Sequence, residues 1–310
     1  CALPICSGPC PSDGCESNLL TDKDHCGTCA VDCDNVFANS VTSCQAGGCQ
    51  TAGCLPGYYD IDGNAANGCE YACSFISATD NPDDAFTDSN CDGIDGNLND
   101  AIFVSTGGND ANPGTKALPV ATVITGIARA QSGGQSRVLV SSGVYVGRVS
   151  LVPAISIHGG YSASNNWQRS SLYVAEIRSS AVSGGRVTAL DGNNIIASTT
   201  VDRMTIHTLD TSVAGVSNYA VYCNNCDGLT LKNNTITAGN GGNGIPGLSG
   251  SAGSSGGNGG NGSNGSCDTN GPGGPGGGGG TSACSRSGGG GGQGGSDDSD
   301  NGSDGGPGVG

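Results

Sequence analysis

The sequence predicts an all-β protein in three parts: a disulfide-stapled, loop-rich N-terminal domain, a short parallel β-helix and a glycine-rich C-terminal bundle. Three observations predict this fold class. Cysteines crowd the first part of the chain, short runs rich in Val and Ile recur in the second, and glycine recurs at every third residue in the last. The predicted domain boundaries are residues 1–100, 101–239 and 240–310.

The composition leaves little material for an ordinary hydrophobic core. Aromatic residues make up 4% of the 310 residues, and 33 of the 59 glycines lie between Gly239 and Gly310. The 17 cysteines of such a chain indicate an oxidising compartment outside the cytoplasm. No apolar stretch approaches the roughly 18 residues of a membrane span, so the sequence predicts no transmembrane helix.

The net charge of −16 is concentrated in the N-terminal domain. Residues 1–100 contain sixteen of the 27 acidic residues and a single lysine or arginine, Lys23. Such an acidic surface repels nucleic acids and anionic membranes, so we expect neither as a partner. It attracts hard cations such as Ca²⁺ instead.

The chain begins at Cys1, without an initiator Met. A mature bacterial protein that starts with cysteine resembles a lipoprotein, whose first cysteine carries the lipid anchor. Setting Cys1 aside leaves sixteen cysteines, an even number that can pair completely. We therefore expect Cys1 to be a lipid anchor and the only membrane attachment; a disulfide at Cys1 or an arbitrary chain start are the alternatives.

Disulfides are expected to replace a hydrophobic core in residues 1–73. No segment there keeps a helical or strand periodicity long enough to bury much area, whereas cysteines recur throughout, with a CxxC at Cys26–Cys29. Each disulfide would contribute about 2–4 kcal/mol by restricting the unfolded chain. Zinc or redox chemistry at the CxxC stays open as an alternative. The disulfide candidates singled out along the chain are Cys26, Cys29, Cys33, Cys223, Cys226, Cys267 and Cys284.

The middle of the chain, residues 101–239, predicts stacked β-strands. Runs such as RVLVSSGVYV, VDRMTIHTL and LTLKNNTITAG alternate Val or Ile with Ser, Thr and Arg, and turns of Gly, Asn, Ser and Asp separate them. Their centres recur roughly every 18–25 residues without intervening helices. This spacing favours a solenoid of about six coils over a β-sandwich.

One helix is predicted, over residues 119–131. Its apolar face contains Val120, Ile124, Ile127 and Ala128. A solenoid needs its open end covered, and we expect this helix to cover it.

Two resemblances support this organisation. The segment FVSTGGNDANPGTKALPVATVITGIARA, followed by VLVSSGVYVGRVSL, resembles the opening of right-handed parallel β-helix proteins of the pectin-lyase-like class. LTLKNNTITAG is similar to a later coil, in which Asn side chains stack in ladders at a turn. The runs ESNLLTDKDHCGTCAVDC, NGCE and DSNCDGIDG resemble cysteine-rich, MopE-like metal-binding modules of large bacterial secreted proteins. The resemblances imply a right-handed parallel β-helix and an extracellular or outer-surface location on a bacterium.

Glycine opens nine consecutive triplets from Gly241 to Cys267. This register places all positions without a side chain on one edge of a threefold, left-handed extended helix, so that neighbouring segments can approach and form hydrogen bonds. Collagen needs abundant proline, and only Pro246 occupies one of the eighteen positions between these glycines. The composition therefore favours a polyglycine II-like bundle, with a disordered Gly/Ser linker as the alternative. Polar breaks near Cys267 and Cys284 are expected to be turns between antiparallel segments.

The run TDSNCDGIDG is the sharpest candidate metal site. Asp88, Asn90 and Asp92 place side-chain oxygens at alternate positions before a glycine, as in the first half of an EF-hand calcium loop, and Asp95 follows. Asn99 stands where the loop's closing glutamate would be, so ligands from other loops are needed. The alternative is a solvated acidic turn beside a disulfide.

A weaker candidate for calcium is the run DIDGN. It places Asp60, Asp62 and Asn64 at alternate positions before and after a glycine. Ca²⁺ is the only cofactor that the sequence suggests.

No motif points to catalysis. Between residues 102 and 239 the acids form no close pair in sequence, and no nucleophile, zinc-protease or phosphate-loop motif occurs. His158 and His207 lie in predicted strands, where we expect them to face solvent. Arg203 beside Asp202 is expected to form a surface ion pair rather than a catalytic dyad.

The sequence therefore favours a secreted structural protein, an adhesin or a subunit of an extracellular fibre, whose partners are copies of itself or other components of the cell surface. The alternative is a β-helix that binds or cleaves carbohydrate. A glycan would then stack on a groove lined by Tyr145, Tyr161, Trp167 and Tyr173.

Overall fold

Strands predominate in the structure, a computed structural model. It describes residues 18–251, 253, 257–263, 273–281, 288–294 and 302–307. Helix in these ranges is limited to α1 (Cys33–Val36), α2 (Val123–Gly133) and three short 3-10 turns, so the all-β class is confirmed. No helix of the described ranges has both the length and the apolar character that crossing a membrane requires. Predictions for Cys1, Cys267 and Cys284 lie outside the described residues.

The chain forms two compact units, Cys1–Ile245 and Pro246–Gly310. The cysteine-rich part and the strand-rich part therefore belong to the same unit. The N-terminal strands are β1 (Ser40–Gln45), β2 (Gly48–Cys54), β3 (Tyr58–Tyr59) and β4 (Tyr71–Ala72), paired as two antiparallel hairpins, β1 with β2 and β3 with β4.

Disulfides hold this N-terminal part together. Four of them close loops whose cysteines lie 15 to 18 residues apart, and we call them the four long-loop disulfides: Cys26–Cys44, Cys33–Cys49, Cys54–Cys69 and Cys73–Cys91. Each disulfide that closes a loop of this size stabilises the fold by about 3 kcal/mol. Cys29 is disulfide-bonded as well. The predicted disulfide-rich character is confirmed. The buried cluster of this part consists of disulfide-bonded cysteines, Cys26, Cys33 and Cys44, in place of large aliphatic side chains.

The remaining strands begin at β5 (Ala101–Val104). They continue as β6 (Arg137–Ser141), β7 (Gly143–Val146), β8 (Val149–Ser150), β9 (Ser156–Ser162), β10 (Gln168–Arg169), β11 (Ala175–Ser179), β12 (Val182–Ser183), β13 (Arg186–Asn193), β14 (Thr199–Asp202), β15 (Met204–Thr208), β16 (Ser217–Asn224), β17 (Leu229–Lys232) and β18 (Thr235–Thr237). They form three sheets, with β10 and β12 as short antiparallel additions. The parallel orders are β17-β14-β9-β6-β5, β18-β15-β11-β7 and β8-β13-β16.

From β6 onward, successive strands visit the three sheets in turn. Most returns to the same sheet take about 30 residues; Thr199 pairs with Leu229, for example, and Thr205 with Thr235. Arg137, however, pairs with Ser156 after 19 residues, and Ile157 pairs with Val201 after 44. The predicted spacing of 18–25 residues was too short, because runs taken as single strands contain two strands and a bend. In LTLKNNTITAG the bend lies at Asn233, whose φ is 54°, a left-handed conformation that Asn tolerates.

Aliphatic side chains stack from strand to strand inside this unit. Ile102, Val138, Ile157 and Val201 follow one another across the first sheet, and each is at most 5% exposed. Burying such a side chain contributes about 1.5–3 kcal/mol.

Helix α2 packs on β5 and β6 at the start of the stack. It begins later than predicted, because Val120 still bonds to the neighbouring strand: the Ser105 amide donates to its carbonyl at 2.9 Å. Its buried side also differs, since Ile124 is 53% exposed and Ala128 is exposed. Gly126 sets this orientation, as a Cβ there would lie 2.6 Å from Val104 Cγ2.

The second unit consists of glycine-rich segments joined by backbone hydrogen bonds. We name its described segments A (257–263), B (273–281), C (288–294) and D (302–307). Every third amide donates to a neighbouring segment: 257, 260 and 263 of A to B, 288, 291 and 294 of C to B, and 303 and 306 of D to C, at 2.7 to 3.0 Å. Between two neighbouring segments, the residue numbers of the donors increase while those of their acceptors decrease, so adjacent segments are antiparallel.

Candidate functional site

The predicted calcium run folds into a loop closed by its own side chains. Asp88 Oδ2 accepts a hydrogen bond from the Gly93 amide at 2.7 Å, and Gly93 has a φ of 89° that suits glycine. Asp92 Oδ2 accepts from the Leu98 amide at 2.8 Å. Asn90 bonds to Asp92 in both directions, through its Oδ1 to the Asp92 amide and its Nδ2 to Oδ2. The structure thus brings Asp88, Asn90 and Asp92 together.

One oxygen of this loop is buried without a partner. Asp92 Oδ1 has no hydrogen-bond partner among the described residues. Burial, followed by the charge of Asp88, raises the pKa of the Asp92 carboxyl, although hydrogen bonds oppose the shift. A cation at this oxygen would satisfy it and offset the repulsion between the two carboxylates.

Asp80 joins the same cluster from outside the motif. It is 3% exposed and accepts from the Gly96 amide at 2.9 Å. Burial raises its pKa, and the charges of Asp88 and Asp92 raise it further. Asp80 could not be predicted as a member of this cluster, because it lies eight residues before the motif.

A lysine approaches the same loop. Lys116 Nζ lies 3.4 Å from the Gly93 carbonyl oxygen. Burial lowers the pKa of Lys116, while the charges of Asp92 and Asp88 oppose the shift. The loop therefore already attracts one cationic group from a distant part of the chain.

Asp95 does not belong to the loop. Its Oδ2 accepts from Arg169 Nη1 at 2.9 Å, and Arg169 Nη2 donates to Asp202 Oδ2 at 2.5 Å. The three side chains are at most 2% exposed. One guanidinium and two ionised carboxylates carry a net charge of −1, so ionisation of the second carboxyl is less favourable here than in water. Burial raises the pKa of Asp95 to about 6 despite the hydrogen bond from Arg169.

Asp202 behaves in the opposite way. Burial alone would raise its pKa, but hydrogen bonds from Asn233 and Arg169, together with the His158 ring whose Nδ1 lies 3.8 Å from Asp202 Oδ2, hold the pKa of Asp202 well below its usual range. Asp202 is therefore the ionised partner of Arg169.

The acidic segment 80–100, which we call the acidic arm, lies along the first sheet through further polar contacts. Asp84 accepts from Arg203 at 3.0 Å and from Lys232 at 2.9 Å. At the end of the arm, Asp100 bonds to Arg137. The acids of the arm thus neutralise bases of the strands.

Two predictions about this region were wrong. Arg203 does not pair with its neighbour Asp202: it lies in the bend between β14 and β15, with a φ of 53°, and bonds to Asp84 instead. His158 is 6% exposed rather than solvated, and burial lowers its pKa. His207 is half-buried and bonds to Glu176 at 3.1 Å.

In the second predicted metal run, a further carboxylate, that of Glu70, lies beside those of Asp60 and Asp62. Carboxylate oxygens of Asp60, Asp62 and Glu70 lie within 4.8 Å of one another. Asn64 Oδ1 accepts from the Ala66 amide at 3.3 Å. Glu70 directly precedes β4, and spacing along the sequence does not reveal that it lies close to Asp60 and Asp62.

The zinc alternative for the CxxC is not supported. Sulfurs of Cys26, Cys33 and Cys49 lie close together, but each is in a disulfide and offers no thiolate to a metal. The nearby acids Asp24 and Asp34 are bridged by Lys23 at 2.7 Å.

The structure also corrects the glycan hypothesis. Tyr145, Tyr161 and Trp167 are at most 6% exposed, and their polar atoms donate to backbone carbonyls. Tyr173 is half-buried and its hydroxyl accepts from Asn165 at 2.9 Å. These rings pack inside the stack and against its arm rather than line an open groove.

Comparison with protein-family models, with curated proteins and with solved structures finds no match to this chain.

Proposed function

We propose that this chain is a secreted structural protein of a bacterial cell surface, an adhesin or a subunit of an extracellular fibre. The proposal rests on the kinds of contact that hold the folded chain together. The first unit is held by covalent cross-links, stacked strands and a buried ion pair, and the described segments of the second unit by backbone hydrogen bonds between glycine-rich segments. These features resist unfolding and proteolysis, and the buried charges serve attachment of the acidic arm.

We further propose that residues 101–239 form a short right-handed parallel β-helix and that the C-terminal unit is a polyglycine II bundle. The return to the same three sheets, mostly after about 30 residues, supports the first. The hydrogen bonds at every third residue support the second, because a threefold extended helix repeats after three residues.

Electron microscopy of the protein from its native source, before and after a calcium chelator, tests the structural role. We expect regular fibres that fray when the chelator is added, with calcium-bridged acidic surfaces as the contact between copies. Fibres that ignore the chelator would retain the structural role but contradict calcium at the contact. Isolated particles under both conditions would contradict the fibre.

Calcium is the proposed cofactor, and the loop with Asp88, Asn90 and Asp92 is its proposed main site. Asp92→Asn keeps the acceptor for the Leu98 amide but removes the charge, so we expect it to lower calcium affinity at least about tenfold. Titration calorimetry of the full chain, after treatment with a chelator, measures this change.

The matched control is Asp227→Asn, an exposed acid of the turn between β16 and β17. It should leave the binding heat unchanged. A parent protein that gives no heat with calcium would contradict the site, and equal losses in both variants would show diffuse attraction instead. Binding that survives Asp92→Asn but disappears with Asp60→Asn would move the site to the second acidic group.

A further inference from the structure

The disulfide Cys223–Cys226 closes a much shorter loop than the others. Its cysteines are 3 residues apart, against 15 to 18 for the four long-loop disulfides. A disulfide stabilises a fold mainly by restricting the unfolded chain, and the restriction grows with the size of the loop. Cys223–Cys226 therefore contributes the least stability of these five.

The turn that contains this disulfide is also fixed without it. The Asn194 amide donates to the Asn224 carbonyl at 2.9 Å, and Asn225 Nδ2 donates to Asn194 Oδ1 at 2.8 Å. The Gly228 amide bonds to the Ile195 carbonyl at 2.9 Å. Hydrogen bonds to the preceding repeat thus define the turn, and the cross-link is redundant for its shape.

As a pair, the two residues of this disulfide are less buried than the cysteines of the long-loop disulfides. Cys223 is exposed and Cys226 is half-buried. The bond packs on Gly192, where a Cβ would lie 2.5 Å from Cys223 Sγ. In each long-loop disulfide, by contrast, at least one cysteine is buried and neither is exposed. Exchange needs access to a sulfur, and Cys223 is the one exposed residue among these ten cysteines.

We propose that Cys223–Cys226 is a thiol-exchange site through which the chain couples covalently to a cysteine of another protein at the cell surface. The partner's thiolate attacks Cys223 Sγ and forms a new disulfide. The Cys223–Cys226 bond breaks, and Cys226 leaves as a thiolate that takes a proton from water. One disulfide replaces another, so no oxidant or reductant is consumed. This activity goes beyond the structural role proposed above.

Reduced glutathione is the probe, because its thiolate attacks disulfides and leaves free thiols unmodified. The oxidised full chain is incubated with it at mildly alkaline pH, blocked with an alkylating agent and mapped by mass spectrometry. We expect glutathione on Cys223 and alkylation of Cys226, at least about tenfold faster than modification of any long-loop cysteine. Equal or slower reaction at Cys223 would overturn the proposal.

Two double variants separate exchange from a structural role. Cys223→Ser with Cys226→Ser should shift the melting temperature by less than about 2 °C, whereas Cys73→Ser with Cys91→Ser should lower it by more than about 5 °C. A large shift in the first variant would identify Cys223–Cys226 as a structural cross-link and contradict the exchange role. The exchange measurement itself is made on the parent chain, so it does not depend on the folding of either variant.

Discussion

Replacing Arg169 with alanine is expected to lower the free energy of unfolding by about 3–5 kcal/mol. The side chain of Arg169 is 0% exposed and donates to Asp95, to Asp202 and to the backbone carbonyls of Gly159 and Asp83. Removing it leaves two carboxyls buried without their common partner, which costs far more than losing a surface contact. Urea unfolding of the oxidised full chain measures the change. The single tryptophan, Trp167, is buried and lies two residues before Arg169 in the sequence. Its fluorescence therefore reports the unfolding of this region.

Arg178→Ala is the matched control for this variant. Arg178 also lies in a strand and bonds to a carboxylate, Glu176, at 2.8 Å, but its side chain is 40% exposed. We therefore expect a loss below about 1 kcal/mol. Arg169→Lys should recover only part of the loss, since one ammonium cannot replace the fork of donors. Equal effects of Arg169→Ala and Arg178→Ala would contradict a buried cluster that attaches the acidic arm.

The strand stack could be predicted from sequence because its signal is local. Val and Ile recur in short runs bounded by polar turn residues, so the buried set that includes Val138, Ile157 and Val201 can be read without knowing the partners. The length of the repeat could not be read in this way. Bends at Asn194, Asn225 and Asn233 have positive φ, and they divide runs that contain neither proline nor a cluster of glycines.

The acidic arm shows where motif matching fails. Asp95 stands inside a run that resembles a calcium loop, yet it bonds to Arg169, 74 residues later. Spacing along the chain predicted the local part of the loop, Asp88 to Asp92. Asp80, Lys116 and Arg169 reach the region through tertiary folding, and no residue near them in sequence indicates this.

Gly277→Ala is expected to disrupt the C-terminal unit, whereas Gly278→Ala is not. A Cβ on Gly277 would lie 1.8 Å from the carbonyl oxygen of Gly260, a contact that segments A and B can relieve only by separating. A Cβ on Gly278 would meet nothing within 4 Å. The two variants make the same chemical change one residue apart, and both lose glycine's freedom in the unfolded chain. Their difference therefore isolates packing in the folded state.

Amide hydrogen exchange of the full chain measures this difference. The amides of Gly260 and Gly291 donate to Gly278 and Gly277 at 2.8 Å, so both should be protected in the parent. Overpacking costs typically 1–3 kcal/mol, and we expect Gly277→Ala to lower protection of the Gly260 amide by about 5- to 150-fold. Gly278→Ala should leave it unchanged or slightly raised. If the parent amides are unprotected, or if both variants behave alike, glycine at every third residue does not serve close packing and the bundle is contradicted. If only Gly277→Ala loses protection, the register is required for side-chain-free packing, as a durable surface structure without a conventional core would need.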